Sequence, residues 1–205
     1  MQQGPDKLTE RAERKRQKRE AKKAEIAAST LDTLKQLGYA NTTLRDIAQQ
    51  SGLSLGSLTY YFVDKTELIT YCVQLYKAQF LARISGALVG EDGPEAVLGR
   101  FAEALALSIK EEHSTHRLWY DIRAQALFDP AFRPVVAEIE AKLMETLALA
   151  VQAARLNPPG DLALRFAMLE GAFRYQLQRA LLEGPAPLAQ LKGEFRQVLD
   201  LIIRP

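Results

Sequence analysis

Thr43-Leu44-Arg45-Asp46-Ile47-Ala48-Gln49-Gln50-Ser51-Gly52-Leu53-Ser54-Leu55-Gly56-Ser57-Leu58-Thr59-Tyr60-Tyr61-Phe62-Val63-Asp64-Lys65-Thr66-Glu67-Leu68 decides the fold. Thr43 reads as a helix N-cap whose hydroxyl can take a free backbone N–H. Asp46, three residues on, can return the bond and suits the helix dipole. The helix so opened runs from Leu44 to about Ser51. Gly52 supplies the turn, because a positive φ costs it little. Ser54 caps a second short helix reaching about Tyr61, and Asp64 with Glu67 repeats the capping pattern ahead of a long helix from Lys65 to about Val89. Ala48 is small enough for the short helices to touch at a steep angle, and Leu44, Ile47, Leu53, Leu58 and Phe62 anchor them. The spacing is that of a helix-turn-helix. An ordinary helical hairpin with a glycine turn is the other use of such a pattern.

Outward from this stretch almost everything reads as helix. Alternating runs of strand length are missing, and Ala, Leu, Glu, Gln, Lys and Arg dominate. A helix from about Ala21 to Leu37 precedes it, carrying Ile26, Thr30, Leu31, Leu34 and Leu37 at three- and four-residue steps and stopped by Gly38. Further helices are expected over Pro94–Glu112, Thr115–Phe128, Pro130–Leu156, Asp161–Glu183 and Pro187–Ile203, separated by breakers such as Asn157-Pro158-Pro159-Gly160. The expectation is an all-α chain of about nine helices. A basic N-terminal arm (1–20) leads into an N-terminal three-helix helix-turn-helix domain (21–65), followed by a longer-helix ligand-binding and dimerisation domain (66–205).

Composition narrows the function. With 47% hydrophobic and 25% charged residues, the chain of 205 residues is ordinary globular protein rather than disordered. No stretch reaches about 18 consecutive apolar residues, so a spanning helix is not expected. The start, Met1-Gln2-Gln3-Gly4-Pro5-Asp6, has no apolar core for a secretory signal. One cysteine, Cys72, forms no internal disulfide and suits a reducing cytoplasm; with His113 and His116 it makes no zinc framework. No metal and no cofactor is expected. The net charge of +2 conceals an asymmetry: residues 1–65 hold 12 Lys and Arg against 8 Asp and Glu, residues 66–205 hold 15 against 17. Residues 11–23 alone reach +6, through Arg11, Arg14, Lys15, Arg16, Lys18, Arg19, Lys22 and Lys23 against Glu13 and Glu20. Such a run serves either as a solvated helix face or as an arm tracking phosphates.

The segment Thr43–Leu68, with the Gly38-Tyr39 link before it, resembles the DNA-binding signature of the tetracycline-repressor (TetR) family: spacing, caps and the terminal Phe62-x-x-Lys65 all agree. The resemblance implies a DNA-binding transcriptional regulator, a ligand-released repressor. The family often has Lys where this chain has Leu55 and Tyr where it has Thr59. Docked as helix-turn-helix proteins are, the helix after Ser54 would enter the major groove N-terminus first, with Ser54, Leu55, Gly56, Ser57, Thr59 and Tyr60 facing bases. Leu55 and the Thr59 methyl suit thymine methyl groups. Arg45 can read guanine or clamp a phosphate. Thr43, Tyr61 and Lys65 are expected on phosphates, and Lys15, Arg16, Lys18 and Arg19 of the arm supply further charge.

Each helix-turn-helix reads few base pairs, so a homodimer on a palindromic double-stranded operator is expected. Its interface is expected on the last two helices, through Leu162, Phe166, Leu169, Phe173, Leu177 and Leu181 and through Leu188, Leu191, Phe195, Val198, Leu199 and Ile202; an intramolecular core is the other use of these stripes. Gly171 in mid-helix suggests close helix approach. The resemblance also implies a pocket for a small-molecule effector among the middle helices, coupled to the head through the fourth. Candidate ligand residues are Phe101, Trp119, Tyr120, Arg123, Phe128, Phe173 and Gln176, with Leu105, Leu127 and Met144 beside them. Arg123 beside aromatic rings suits an acidic or planar ligand; pairing with Asp121 or Glu103 is its bland role. His113 and His116 are expected at the surface or capping a helix, and Cys72 in a core. No nucleophile–base pair, paired carboxylates or phosphate loop is visible, so an enzyme is not expected. A helical adaptor binding protein partners through its apolar stripes is the competing class.

Overall fold

The computed structural model describes residues 7–90, 93–157 and 160–203. Among these are eight α-helices, one turn of 3-10 helix and no strand: α1 (Lys7–Asn41), α2 (Leu44–Gln50), α3 (Leu55–Tyr61), α4 (Lys65–Leu88), α5 (Pro94–Gln125), the 3-10 turn Pro130–Phe132, α6 (Arg133–Ala153), α7 (Leu162–Glu183) and α8 (Leu188–Ile203). The chain is all-α, and it divides after Leu75 into two compact units, α4 contributing to both.

In the first unit local chemistry sets each boundary. α1 is broken at Gly38 (φ 74°, ψ 166°), where its end was expected. Its start is much earlier than the expected Ala21, so residues 7–20 of the basic arm are helix. A run of Arg, Lys, Glu and Ala has high helix propensity and extends a turn already nucleated downstream. Thr43 and Asp46 form the reciprocal cap on α2: Asp46 Oδ2 accepts from Thr43 N at 2.8 Å and Thr43 Oγ1 from Asp46 N at 3.3 Å. Ser54 caps α3 through Ser57 N at 3.0 Å. At α4, Asp64 Oδ1 accepts from Glu67 N, while Glu67 reaches one residue further back than a simple box, to Val63 N, both at 2.7 Å. The turn at Gly52 has φ 63°. Ile26, Ala27, Ile47, Ala48, Leu58, Phe62, Leu68 and Cys72 form the core that seats α2 and α3 on α1 and α4.

The second unit packs α5 to α8 with the end of α4. Two helices were expected over Pro94–Glu112 and Thr115–Phe128, and α5 is kinked between them at Glu112, which leaves helical geometry (φ −129°, ψ 16°). Both halves turn an apolar face inward: Phe101, Leu105 and Ile109 before the kink, His116 and Trp119 after it. His116 is accordingly a core residue rather than a surface or capping one, and half-buried His113 lies against the Ile109 carbonyl. The helix expected over Pro130–Leu156 is a 3-10 turn followed by α6.

The apolar stripes named on α7 and α8 for self-association lie mostly inside the protomer. Leu169, Phe173, Leu177, Leu191, Phe195, Leu199 and Ile202 are buried against their own chain. α8 runs beside α5, tied by Lys192–Glu103 at 2.7 Å and by Arg196 to Glu95, with Asp200 of α8 itself holding the Arg196 guanidinium. The exposed apolar side chains of α7 are Leu164, Met168, Tyr175, Leu181 and Leu182.

Candidate nucleic-acid interface and internal cavity

α3 presents one polar, open face. Ser54, Leu55, Gly56, Ser57, Thr59 and Tyr60 are all open to solvent, Tyr60 by 65%, while Leu58 between them is completely buried. The caps shape this face: Ser54 and Ser57 hydroxyls share a hydrogen bond at 2.8 Å, and Thr59 Oγ1 donates to the Gly56 carbonyl at 3.1 Å. The Tyr60 ring stands edge-on to that of half-buried Tyr61, centroids 5.1 Å apart. Gly56 has no side-chain neighbour closer than Ser54 Oγ at 4.0 Å, leaving its backbone open to approach. Arg45 and Thr43 are exposed at the start of α2. Lys65 is committed further than its sequence position suggests: its ammonium donates to the Tyr39 carbonyl at 2.7 Å over the Tyr39 ring, and burial lowers its pKa.

The basic run is exposed throughout residues 9–21. Arg16 pairs with Glu13 at 3.1 Å. Arg11, Lys15, Lys18 and Lys22 follow one another at four, three and four residues, one stripe of a helix. Lys22 ends that stripe in the depression beside α3, together with Leu53, Ser54, Gly56, Ser57, Tyr60 and Tyr61. Lys22 was not singled out as a contact from the sequence; the four-residue step from Lys18 was the available signal.

In the second unit a cavity of about 60 Å³, partly open to solvent, lies among α4 to α7. Phe101, Trp119, Tyr120, Phe173 and Leu105 line it, with Phe80, Ile84, Leu143, Thr146, Leu147, Phe166, Leu169 and two charged residues, Lys77 and Glu170. The other sequence candidates lie elsewhere. Phe128 is 83% exposed, because it follows the end of α5 at a surface turn, and Leu127 is exposed beside it. Gln176 donates to Glu194, and Met144 is outside the lining. Arg123 sits behind the wall, held by Glu140 at 2.6 Å and Glu170 at 2.7 Å rather than by Asp121 or Glu103. Lys77, missed in the sequence, is 3% exposed, and its ammonium lies about 5 Å from the ring centres of Tyr76, Phe80 and Trp119. Burial pulls its pKa down to about 7. Among the described residues no group of three His, Cys, Asp or Glu could hold a metal, and no helix is long and apolar enough to cross a membrane. Burial pushes the Cys72 thiol up to about 12, which keeps it protonated and unreactive in the core.

Two capped short helices on a common core, the second with an open polar face beside a lysine stripe, define a helix-turn-helix DNA-binding protein. Residues 23–72 match the family described as bacterial regulatory proteins, tetR family. The chain is 26% identical over 101 residues to the HTH-type transcriptional regulator PksA of Bacillus subtilis (strain 168), covering 49% of each, and 24% identical over 122 residues to the HTH-type transcriptional regulator BetI of Cronobacter sakazakii (strain ATCC BAA-894), covering 58% of this chain and 60% of that one. It thus spans about half the length of the curated relatives it matches. The fold is like that of a TetR transcription regulator from Haloarcula marismortui ATCC 43049, with a TM-score of 0.75, 19% identity and coverage of 90% of this chain and 100% of that one. Residues 23–72 thus match the DNA-binding segment of the tetR family, and the chain shares the fold of TetR-type regulators.

Proposed function

We propose that this protein is a cytoplasmic homodimeric repressor that holds a palindromic operator through α3 and leaves it when a small-molecule effector fills the cavity. The observation that carries the DNA contact is the open face of α3 continued by the stripe Arg11, Lys15, Lys18 and Lys22. Base contacts fall to Ser54, Leu55, Gly56, Ser57, Thr59 and Tyr60, with Arg45 as the one nearby side chain able to take guanine bidentately. Phosphate contacts fall to Thr43, Tyr61 and the lysine stripe, which position the helix without specifying sequence.

Self-association is supported by the outer face of α7. Leu164, Met168, Gly171, Tyr175 and Leu182 repeat at helical spacing and face away from their own protomer. A Cβ at Gly171 would meet nothing within 4 Å inside the chain, so the close approach its position suggests is one to a second copy. A footprint on the DNA upstream of the protein's own gene tests the reading: a protected palindrome at low salt is expected. Absence of any protection there refutes it.

A further inference from the structure

Lys77 is the feature of the cavity that the DNA-binding role leaves unused. Its side chain is buried to 3% exposure, and among the described residues its ammonium has no hydrogen bond and no ion pair, only the faces of Tyr76, Phe80 and Trp119. Ring faces attract a cation but do not replace its water or a counter-ion. The other polar groups of the lining are occupied. Glu170 holds Arg123 at 2.7 Å and accepts from Tyr120, and Thr146 donates to the Lys142 carbonyl at 2.8 Å. The remaining wall is aromatic and aliphatic. A leucine or methionine would pack at position 77 without the desolvation cost, so the charge has a use only if a partner arrives through the cavity.

The geometry points to an amphipathic monocarboxylate as the molecule this cavity takes, its carboxylate on the Lys77 ammonium and its apolar body against Phe101, Leu147 and Phe166. This rests on the cavity being the effector site. A cationic ligand would meet Lys77 without gaining Glu170, whose oxygens already serve Arg123 and Tyr120. A neutral ligand would leave the ammonium unpaired, the costlier outcome in a dry site.

Trp119 is the sole tryptophan of the chain and lines the cavity, so its fluorescence reports on this site. The full-length protein is titrated at about pH 6.5, where Lys77 is mostly charged and the acid ionised, with decanoate, 1-decanol and decyltrimethylammonium, which share one apolar body. Decanoate is expected to bind at least about tenfold more tightly than decanol, a gap of about 1.4 kcal/mol. In Lys77→Met that preference disappears while decanol binds as before, which also shows the variant is folded. Above pH 7 decanoate binding is further expected to take up a proton, read by calorimetry in buffers of different ionisation enthalpy. Glu170, Tyr120, Arg123, Glu112, His116 and Tyr76 face or neighbour the same ammonium and remain in Lys77→Met, so loss of the uptake there assigns it to Lys77. Equal affinity for decanoate and decanol, or tightest binding of the ammonium compound, overturns the inference and leaves the cavity a ligand site. No Trp119 response to any of the three overturns both this inference and the effector reading beneath it.

Discussion

A lysine buried without a counter-ion opposes folding for as long as it stays charged. At position 77 burial brings the pKa from 10.5 to about 7, so between those values the unfolded chain holds a proton that the folded one has released. Stability therefore rises with pH across that window, and the penalty is complete below about pH 7. Denaturant titrations at several pH values should show wild type gaining on Lys77→Met by up to about 1.4 kcal/mol per pH unit as pH rises from 7 toward 10; parallel curves would show that the ammonium is already compensated. At Thr43 the same scale concerns a cap. Thr43→Ala removes the acceptor for Asp46 N and should lower stability by about 1 kcal/mol, with Thr43→Ser nearly neutral, as read from urea midpoints. The capping box at Thr43 and the Asp64 cap of α4 were legible in the sequence because their partners lie three residues apart, whereas the reach of Glu67 back to Val63 N was not. Lys77 was not, because its surroundings are assembled from several helices.

Among the elements, α1 and α2 carry the DNA-binding unit. The sequence presents residues 11–23 as one basic run, whereas the helix sorts them by direction. Arg11, Lys15 and Lys18 share the stripe that ends at Lys22 beside α3, while Arg16, one residue past Lys15, lies off it and pairs with Glu13. Lys15→Ala with Lys18→Ala should reduce the salt slope of operator binding by about 0.9 for each phosphate left without its lysine, and Arg16→Ala should reduce it less per charge removed. Equal effects per charge in a salt titration would mean the run acts as diffuse charge. α2 depends on its seat: Ile47 is fully buried in the core shared by α1 to α4, so Ile47→Ala should cost about 2–5 kcal/mol by chemical denaturation. That anchor was readable from spacing alone, since α2 has one inward face and Ile47 and Ala48 are its buried residues. The kink of α5 at Glu112 was readable in the same way, because Ser114 and Thr115 signal a helix start, whereas the burial of His116 after it was not.

For the whole molecule the question is what the outer face of α7 meets. A two-fold operator asks for two copies of α3 on successive major grooves about 34–36 Å apart, and so for a dimer. Met168→Glu with Tyr175→Glu should convert a dimer into monomer in sedimentation and weaken operator binding, while Leu177→Ala, a change in the interior, should lower stability instead. A wild-type protein that sediments as a monomer would remove this face from the assembly. The sequence by itself determined what depends on neighbours in the chain: the helix caps, the turn at Gly52, the anchors of α2 and α3, and hence the helix-turn-helix. Only the tertiary structure decided which face of each long helix is inside. Periodicity marks an apolar stripe but not its partner, and on α7 and α8 the stripes that looked free for a second copy were taken up by α5 and by each other. It also decided that Lys77 and His116 lie buried, since burial belongs to the packing of several helices and to no single segment.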